Sequence, residues 1–467
     1  MNALISEEPV TKGFFLLFLG QCGRASQAVG INTLHRREGF VMDQQALIAI
    51  GLFVVAYGFI VSEKIHRTII AMIGGILMVV LGVVSQETAL HHIDFNTLGL
   101  LVGMMIIVGI TAETGLFKYI AVWSAKKAGG HPVRILIVLS LVTAIGSAFL
   151  DNVTTVLLMV PVTFSITRQL RVNPVPFLMS QILACNIGGT ATLIGDPPNI
   201  MIGSAVKELT FMAFINNLAP IAAIVLAVTI PFFVLFYRKQ IRTTEELRQG
   251  LMNMNEKAEI RDPVLLKKCL AVLGLTLIGF FVHQIVHLES ATVALAGAFL
   301  LLLLTGEHFL EEAFQRVEWT TIFFFVGLFV LVSGLIETGV IAALADYAVG
   351  VTGGDVTKSA VLILWLSGIA SAFLDNIPFV ATMIPMIQEM GTMGVSNLEP
   401  LWWSLALGAC LGGNGSLIGA SANLIVAGMA AREGHPISFM KFFFIAFPLM
   451  LLSIAVANVY IYVRYLM

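Results

Sequence analysis

Two halves of this chain repeat one another in register. At a constant offset of 224 residues, Phe149-Leu150-Asp151-Asn152 matches Phe373-Leu374-Asp375-Asn376, and Glu113-Thr114-Gly115 matches Glu337-Thr338-Gly339. Gly188-Gly189 matches Gly412-Gly413, Leu193-Ile194-Gly195 matches Leu417-Ile418-Gly419, and Pro161 and Asn199 match Pro385 and Asn423. Chance agreement is common between apolar stretches, but Asp-Asn and Glu-Thr-Gly in one shared register are not. The chain therefore folds as two copies of one unit.

The medium follows from composition. Of 467 residues, 58% are hydrophobic and 12% charged, where soluble domains carry about 25% charge. The apolar stretches are long and continuous rather than alternating, which points to helices and not a membrane barrel. The expectation is an all-α polytopic membrane protein. Spans are read near 44–62, 68–84, 96–116, 177–205 and 217–237, then 269–287, 291–306, 319–340, 401–428 and 443–463. The segments 133–168 and 359–390 are each interrupted at their middle by Asp-Asn. As single helices they would overshoot a hydrocarbon layer of about 30 Å; a re-entrant hairpin with its tip at Asp-Asn fits.

Five spans per unit give the two units opposite orientation, making them inverted repeats. Of the Lys and Arg residues in 42–467, only Lys207, Lys358 and Arg464 fall on one side; the positive-inside rule makes that side external. The division expected is 42–237 for the first inverted repeat, 238–268 for a cytoplasmic linker and 269–467 for the second. Residues 1–41 have only one short apolar run, Gly13 to Gly20, and read as a dispensable extension before Met42. The cysteines at 22, 185, 269 and 410 are scattered and read as small apolar residues, not a disulfide framework. Nothing in the charge pattern suggests nucleic acid. The expected setting is the lipid bilayer of a prokaryotic plasma (inner) membrane.

Inverted repeats with interrupted helices mark secondary transporters, whose sites lie near the midplane between the halves. Each repeat supplies two interruptions. One is the hairpin tip, with Asp151, Asn152 and Thr154 in the first repeat and Asp375 and Asn376 in the second. The other is a glycine-rich break, with Gly188, Gly189, Thr190, Asp196 and Asn199, then Gly412, Gly413, Asn414, Ser416 and Asn423. Freed carbonyls suit Na⁺ and half-helix N-termini suit anions. A carboxylate inside an apolar segment costs about 2.5–3.5 kcal/mol on insertion scales, a cost met by a cation, a proton or a partner. The plainer reading of Asp151 and Asp375 is helix capping, and that of the glycines is close packing. Glu113 and Glu337 fall near span ends, where an interfacial place is as good a reading as a transport role. Cys185 and Cys410 flank the breaks; a core role outweighs contact with a soft metalloid.

Gly-Gly-Thr-Ala-Thr-Leu-Ile-Gly-Asp-Pro-Pro-Asn (188–199), preceded by Phe-Leu-Asp-Asn-Val-Thr-Thr (149–155), resembles the ion transporter superfamily. The likeness is to the branch of ArsB-type arsenite permeases, NhaD-type sodium/proton antiporters and the melanosomal P protein, with citrate transporters and divalent-anion symporters related. It covers 42–467. It implies a scaffold and a transport domain in each protomer of a homodimer, with elevator-like movement. It further implies Na⁺ sites at Asp151 and Asn152 and at Asp375 and Asn376, each completed by the neighbouring break. No cofactor is expected beyond a bound Na⁺ or H⁺ as coupling ion, and a soluble ATPase partner only if the cargo is arsenite. Asp at the head of both tips departs from the symporters' Ser-Asn-Thr and weakens a dicarboxylate reading.

The leading expectation is a secondary active transporter of a small inorganic ion, by Na⁺/H⁺ antiport or arsenite-type export, coupled through intramembrane Asp residues. A sodium- or proton-coupled carrier of organic or inorganic anions is the alternative. An intramembrane aspartyl protease is remote, because Ile194-Gly195-Asp196 lacks the further glycine expected there and the repeat already accounts for both tip aspartates. No phosphate loop or nucleophile elbow is present, so no enzyme activity is expected. Asp151 is expected to approach Asp196 and bind protons, and Asp375 to sit among Asn376, Asn414 and Ser416.

Overall fold

The computed structural model describes residues 43–467 apart from 63, 284 and 307; the extension 1–41, with Cys22, lies outside the described residues. All regular structure among those residues is helical, with no strand. The first repeat runs α1 (Gln44–Ser62), α2 (Arg67–Val80), α3 (Gln86–His91), α4 (Phe95–Glu113) and α5 (Leu116–Lys127). It continues with α6 (Pro132–Phe149), α7 (Asn152–Gln169), α8 (Val175–Gly189), α9 (Pro197–Ala205) and α10 (Phe211–Tyr237). A strap containing α11 (Glu245–Met252) leads to α12 (Pro263–Val282), α13 (Ser290–Thr305), α14 (His308–Arg316), α15 (Trp319–Glu337) and α16 (Val340–Thr352). Last come α17 (Val356–Phe373), α18 (Asn376–Thr392), α19 (Glu399–Gly412), α20 (Ser421–Arg432) and α21 (Phe439–Ile461).

The repeat seen in sequence is a repeat of contacts. α2 lies along α15 while α13 lies along α4, and α20 lies on α7 while α9 lies on α18. Each contact is its partner with the repeats exchanged, as a pseudo-two-fold axis requires. The two units interlock around that axis instead of folding side by side. Helices α2, α4, α13 and α15 form one bundle, the framework; α6–α9 and α17–α20 form the second, which carries both hairpins and both breaks. Exposed aliphatic side chains such as Val80, Leu235 and Leu303 give the outer faces the character of a lipid-facing surface.

Local chemistry explains the turns. Asp94 starts α4 by accepting from the amides of Asn96 (3.0 Å) and Thr97 (3.1 Å). The Glu-Thr-Gly copies end α4 and α15, and Gly115 (φ 80°) and Gly339 (φ 75°) turn the chain through left-handed backbone into α5 and α16. A Cβ at Gly115 would also collide with the Glu259 carbonyl of the strap.

Several boundaries differ from the sequence reading. The spans read as 177–205 and 401–428 are each two helices, α8 with α9 and α19 with α20, because the breaks leave non-helical backbone at 190–196 and 416–420. Residues 116–127 and 340–352, read as connections, are the helices α5 and α16. Residues 263–268 belong to α12, so the linker ends at Asp262. α2 and α13, at 14 and 16 residues, fall short of the ~20 of a usual span; each lies against a longer framework helix. Among the described residues, eight helices are long and apolar enough to cross a membrane, α6 and α17 of the hairpins among them. Glu113 pairs with Arg316 and Glu337 with His92 at the ends of α4 and α15, away from both breaks.

Candidate functional site

Each hairpin turns on two residues. α6 and α7 have 18 residues each, about 27 Å of helix at 1.5 Å per residue. Leu150 leaves the helix in extended backbone and Asp151 begins α7, its carboxylate accepting from the Thr154 amide (2.9 Å) and the Thr154 hydroxyl. Leu374 and Asp375 repeat this, with Asp375 accepting from the Ile377 amide (3.1 Å). Both tip aspartates are thus helix caps, whatever else they do.

The breaks are braced from within. Gly188 and Gly412 let α8 and α19 approach α6 and α17 until a Cβ at either would meet the carbonyls of Ala144 or Gly368. Thr192 Oγ1 donates to the Ala148 carbonyl and Ser416 Oγ to that of Ala372 (2.5 Å), tying each break to its hairpin. Asn199 Nδ2 donates to the carbonyls of Thr190 (3.1 Å) and Thr192 (2.8 Å). Asn423 Nδ2 does the same to Gly413 (2.8 Å) and Ser416 (2.9 Å). Across the axis, Asn186 Nδ2 donates to Asn414 Oδ1 and Asn423 Oδ1, both at 2.9 Å, and the Cys410 thiol lies 3.5 Å from Asn199 Oδ1. Asn199, Asn414, Ser416 and Asn423, named in the sequence as ligands, therefore spend these groups on holding the breaks open.

Asp196 sits where the symmetry fails. Its counterpart in the second repeat is Ala420. It is fully buried, and its Oδ1 accepts from the amides of both tip asparagines, Asn152 (3.3 Å) and Asn376 (3.4 Å). Its Oδ2 is buried with no hydrogen-bond partner. The one carboxylate joins the two hairpin tips, with the Cys410 thiol beside it, and leaves Oδ2 without a hydrogen bond. Asp196 faces a chamber of about 20 Å³ whose lining includes Asp151, Asn152, Asn376, Glu318, Arg67 and Ser421. A single water needs about 10–15 Å³ on this measure, so the chamber holds one water or one monatomic ion.

Asp375 stands elsewhere than expected. Asn414 and Ser416 are taken up by the breaks, and the partners of Asp375 are Arg67, the first residue of α2, and Ser421, the first of α20. Arg67 also donates to Ser421 Oγ (2.7 Å) and lies 4.8 Å from the Phe324 ring centre. Beyond this cluster lies a vestibule of about 450 Å³, lined by Arg67, His66, Thr320, Glu318, Asp375 and Ser421 among others. Arg67, Glu318 and Ser421 line both spaces; Asp375 lines only the vestibule, and Asp151 and Asp196 only the chamber. The pair of Arg67 and Asp375 is part of the wall between them. The vestibule lies at the Arg67 end of α2, on the side rich in Lys and Arg, which is cytoplasmic by the positive-inside rule.

At the symmetry-related end the same helices are knitted together. Ser204 Oγ donates to Asp94 (2.8 Å), Asn96 Nδ2 to Ser204 Oγ (3.0 Å), and the Ala291 amide to Asn96 Oδ1 (3.0 Å). Asp94 is the counterpart of Glu318 and Ala291 that of Arg67. Of the two symmetry-related ends, one is open and the other is latched.

The profile of the citrate transporter family matches residues 57–408. The chain belongs to that family. An uncharacterized transporter of Mycobacterium bovis is 43% identical over 90% of this chain and 99% of its own length. The human P protein is 34% identical over 94% of this chain, which spans 62% of that longer protein. The YdaH transporter of Alcanivorax borkumensis shares the fold, with a TM-score of 0.54 over 90% of this chain and 98% of that one, at 13% identity. This family member is a multi-pass membrane transporter. Of the residues named from the sequence, its fold brings Asp151, Asn152, Asp196 and Asn376 to one chamber and places Asp375 at the rim. Arg67 and Glu318 were missed as site residues. Their signal was present: a charge stands at the first residue of α2 and directly before α15, and Arg67 has no charged counterpart in the other repeat.

Proposed function

We propose that this transporter exchanges Na⁺ for H⁺ across the membrane, with Asp196 as the carboxylate that holds the ion. The unpartnered Oδ2 of Asp196 carries this reading. An ionised carboxylate taken out of water costs several kcal/mol unless it is paired, and two asparagine amides leave one oxygen bare. A proton or a Na⁺ ion satisfies that oxygen, and the two compete for it. Asp151 and Glu318 add negative character to the chamber, and Asn152 and Asn376 add neutral oxygens. The chamber's size admits a monatomic cation and refuses a tricarboxylate. Arsenite fits less well, because the thiols of Cys185 and Cys410 are engaged with Ser147 and Asn199. Alternating access follows from the open vestibule and the latched Asp94–Ser204 end, with the hairpin-and-break bundle moving against the framework in elevator fashion.

The vestibule favours a second reading. Arg67 and the N-termini of α2 and α15 suit an anion, and the family is described as citrate transporters, so a carboxylate cargo above the chamber is the alternative. Proteoliposomes separate the two. With imposed Na⁺ and pH gradients, wild type should acidify or alkalinise the lumen in response to Na⁺, and Asp196→Asn should not. Citrate uptake that survives in Asp196→Asn without any Na⁺-driven pH change would refute the exchange reading.

A further inference from the structure

We infer that Arg67 is a resident counter-cation, which the transported ion must displace from Asp375 on the cytoplasmic side. The inference rests on the cation-exchange reading of the chamber and adds the residue that sets its apparent affinity from one face. Three contacts carry it. Arg67 belongs to the framework, where it is anchored beside Phe324 of α15, yet its guanidinium reaches across to Asp375 and Ser421 of the mobile bundle. The pair stands between the open vestibule and the one-ion chamber, so an ion passing between them meets it. Glu318, also on the framework and lining both spaces, offers the guanidinium a second acidic neighbour once Asp375 is taken by a cation or carried away with its hairpin.

The pseudo-symmetry makes the device one-sided. Asp151 occupies the place of Asp375 in the first repeat, but Ala291 occupies the place of Arg67. Ala291 contributes only a backbone amide, and that is bonded to Asn96. Among the described residues, no framework guanidinium bonds Asp151, whose carboxylate is taken up by the Thr154 amide and hydroxyl. A competing group lowers apparent affinity by the fraction of carriers it leaves free. Arg67 should therefore weaken cation binding from the cytoplasmic face and leave the outer face alone.

The test measures the half-saturating Na⁺ concentration at fixed pH in everted and right-side-out vesicles. Arg67→Gln should lower that concentration about fivefold or more in everted vesicles, with no change in right-side-out ones. Arg67→Lys, which keeps a positive charge, should stay near wild type, and Ser421→Ala, which removes one anchor of the guanidinium, should shift it about twofold in the same direction. An unchanged value in Arg67→Gln, or a rise on both faces, overturns the inference while Na⁺ transport by wild type leaves the exchange reading standing. If Arg67→Gln does not elute as a folded protein, Ser421→Ala decides, and an unchanged value there overturns it. Absence of Na⁺-dependent transport in wild type would overturn both.

Discussion

Replacing Asp196 by Asn should make the protein more stable and unable to respond to Na⁺. The amide keeps Oδ1 as the acceptor for Asn152 and Asn376 and exchanges the bare Oδ2 for a neutral group of the same size. A buried polar group without a partner costs about 1–3 kcal/mol, and more when charged; the new amide NH2 is as unpartnered as Oδ2 was but neutral, so removing the charge should gain about 1 kcal/mol in Na⁺-free alkaline buffer, where Asp196 holds no proton. Wild type should recover that deficit by binding. A ligand at one hundred times its dissociation constant stabilises the folded state by about 2.7 kcal/mol. The assay is thermal unfolding of detergent-solubilised protein, followed by intrinsic tryptophan emission, titrated with NaCl against choline chloride at constant ionic strength. Wild type should climb with Na⁺ by several degrees, and Asp196→Asn should start higher and stay flat. A variant less stable than wild type without Na⁺, or one that still climbs with Na⁺, would refute the assignment of the uncommitted oxygen as the ion site.

Cysteines placed at the exposed positions Gln240 and Lys358 should react with impermeant maleimide from opposite faces of the membrane; labelling of both from one side would overturn the inverted arrangement. Gly188→Val should cost more than the 1–3 kcal/mol typical of an overpacked site, because the obstruction is the Ala144 backbone carbonyl, and yields of folded protein in detergent report it. The Lys126 ammonium, 2.5 Å from Glu256, holds that carboxyl below its ordinary range. A depressed carboxyl favours the docked strap above the usual Glu pKa and loses that preference as pH falls through the lowered one. Amide protection factors in 245–259, taken against the intrinsic exchange rate at each pH, should therefore fall on strong acidification, and Glu256→Gln should show lower protection already at neutral pH.

What could be read from the sequence was whatever the repeat prints twice. Asp151 with Asp375 gave the hairpin tips, and the paired Gly-Gly runs gave the breaks, because each requires residue types with few substitutes at fixed positions. The split of each broken span into two helices followed less readily, since Val175–Ala205 is apolar on both sides of the break and hydropathy does not register hydrogen bonds. α5 and α16 escaped because Leu116–Lys127 mixes apolar and charged residues over only 12 positions, too short and too polar for a span. The partners of Asp375 were out of reach for a different reason. Arg67 is 308 positions away in sequence, and nothing local to either residue announces the other. Asn414 and Ser416, nearer in sequence, were the natural guess, and they turned out to be needed by the backbone they interrupt.

The departures from symmetry are where a carrier built from two copies of one unit acquires a direction. A perfectly symmetric pair would bind an ion equally well from either face and at two equivalent sites. Four of the paired positions that differ bear on the breaks and the chamber: Asp196 against Ala420, Arg67 against Ala291, Asn186 against Cys410 and Thr190 against Asn414. The last two exchange bracing hydrogen bonds across the axis, so that Asn186 reaches Asn414 and Asn423 while Cys410 meets Asn199. They preserve the breaks with unlike residues and leave the frame symmetric. The first two do not compensate. On the proposed exchange, Asp196 makes a single ion site out of two hairpin tips, since both tip asparagines donate to it and Ala420 offers nothing in return. Arg67 then places a positive charge at only one entrance to that site. A frame built from two like repeats thereby carries one unmatched carboxylate and one unmatched guanidinium, and on the proposed exchange an ion meets different chemistry from the two sides of the membrane.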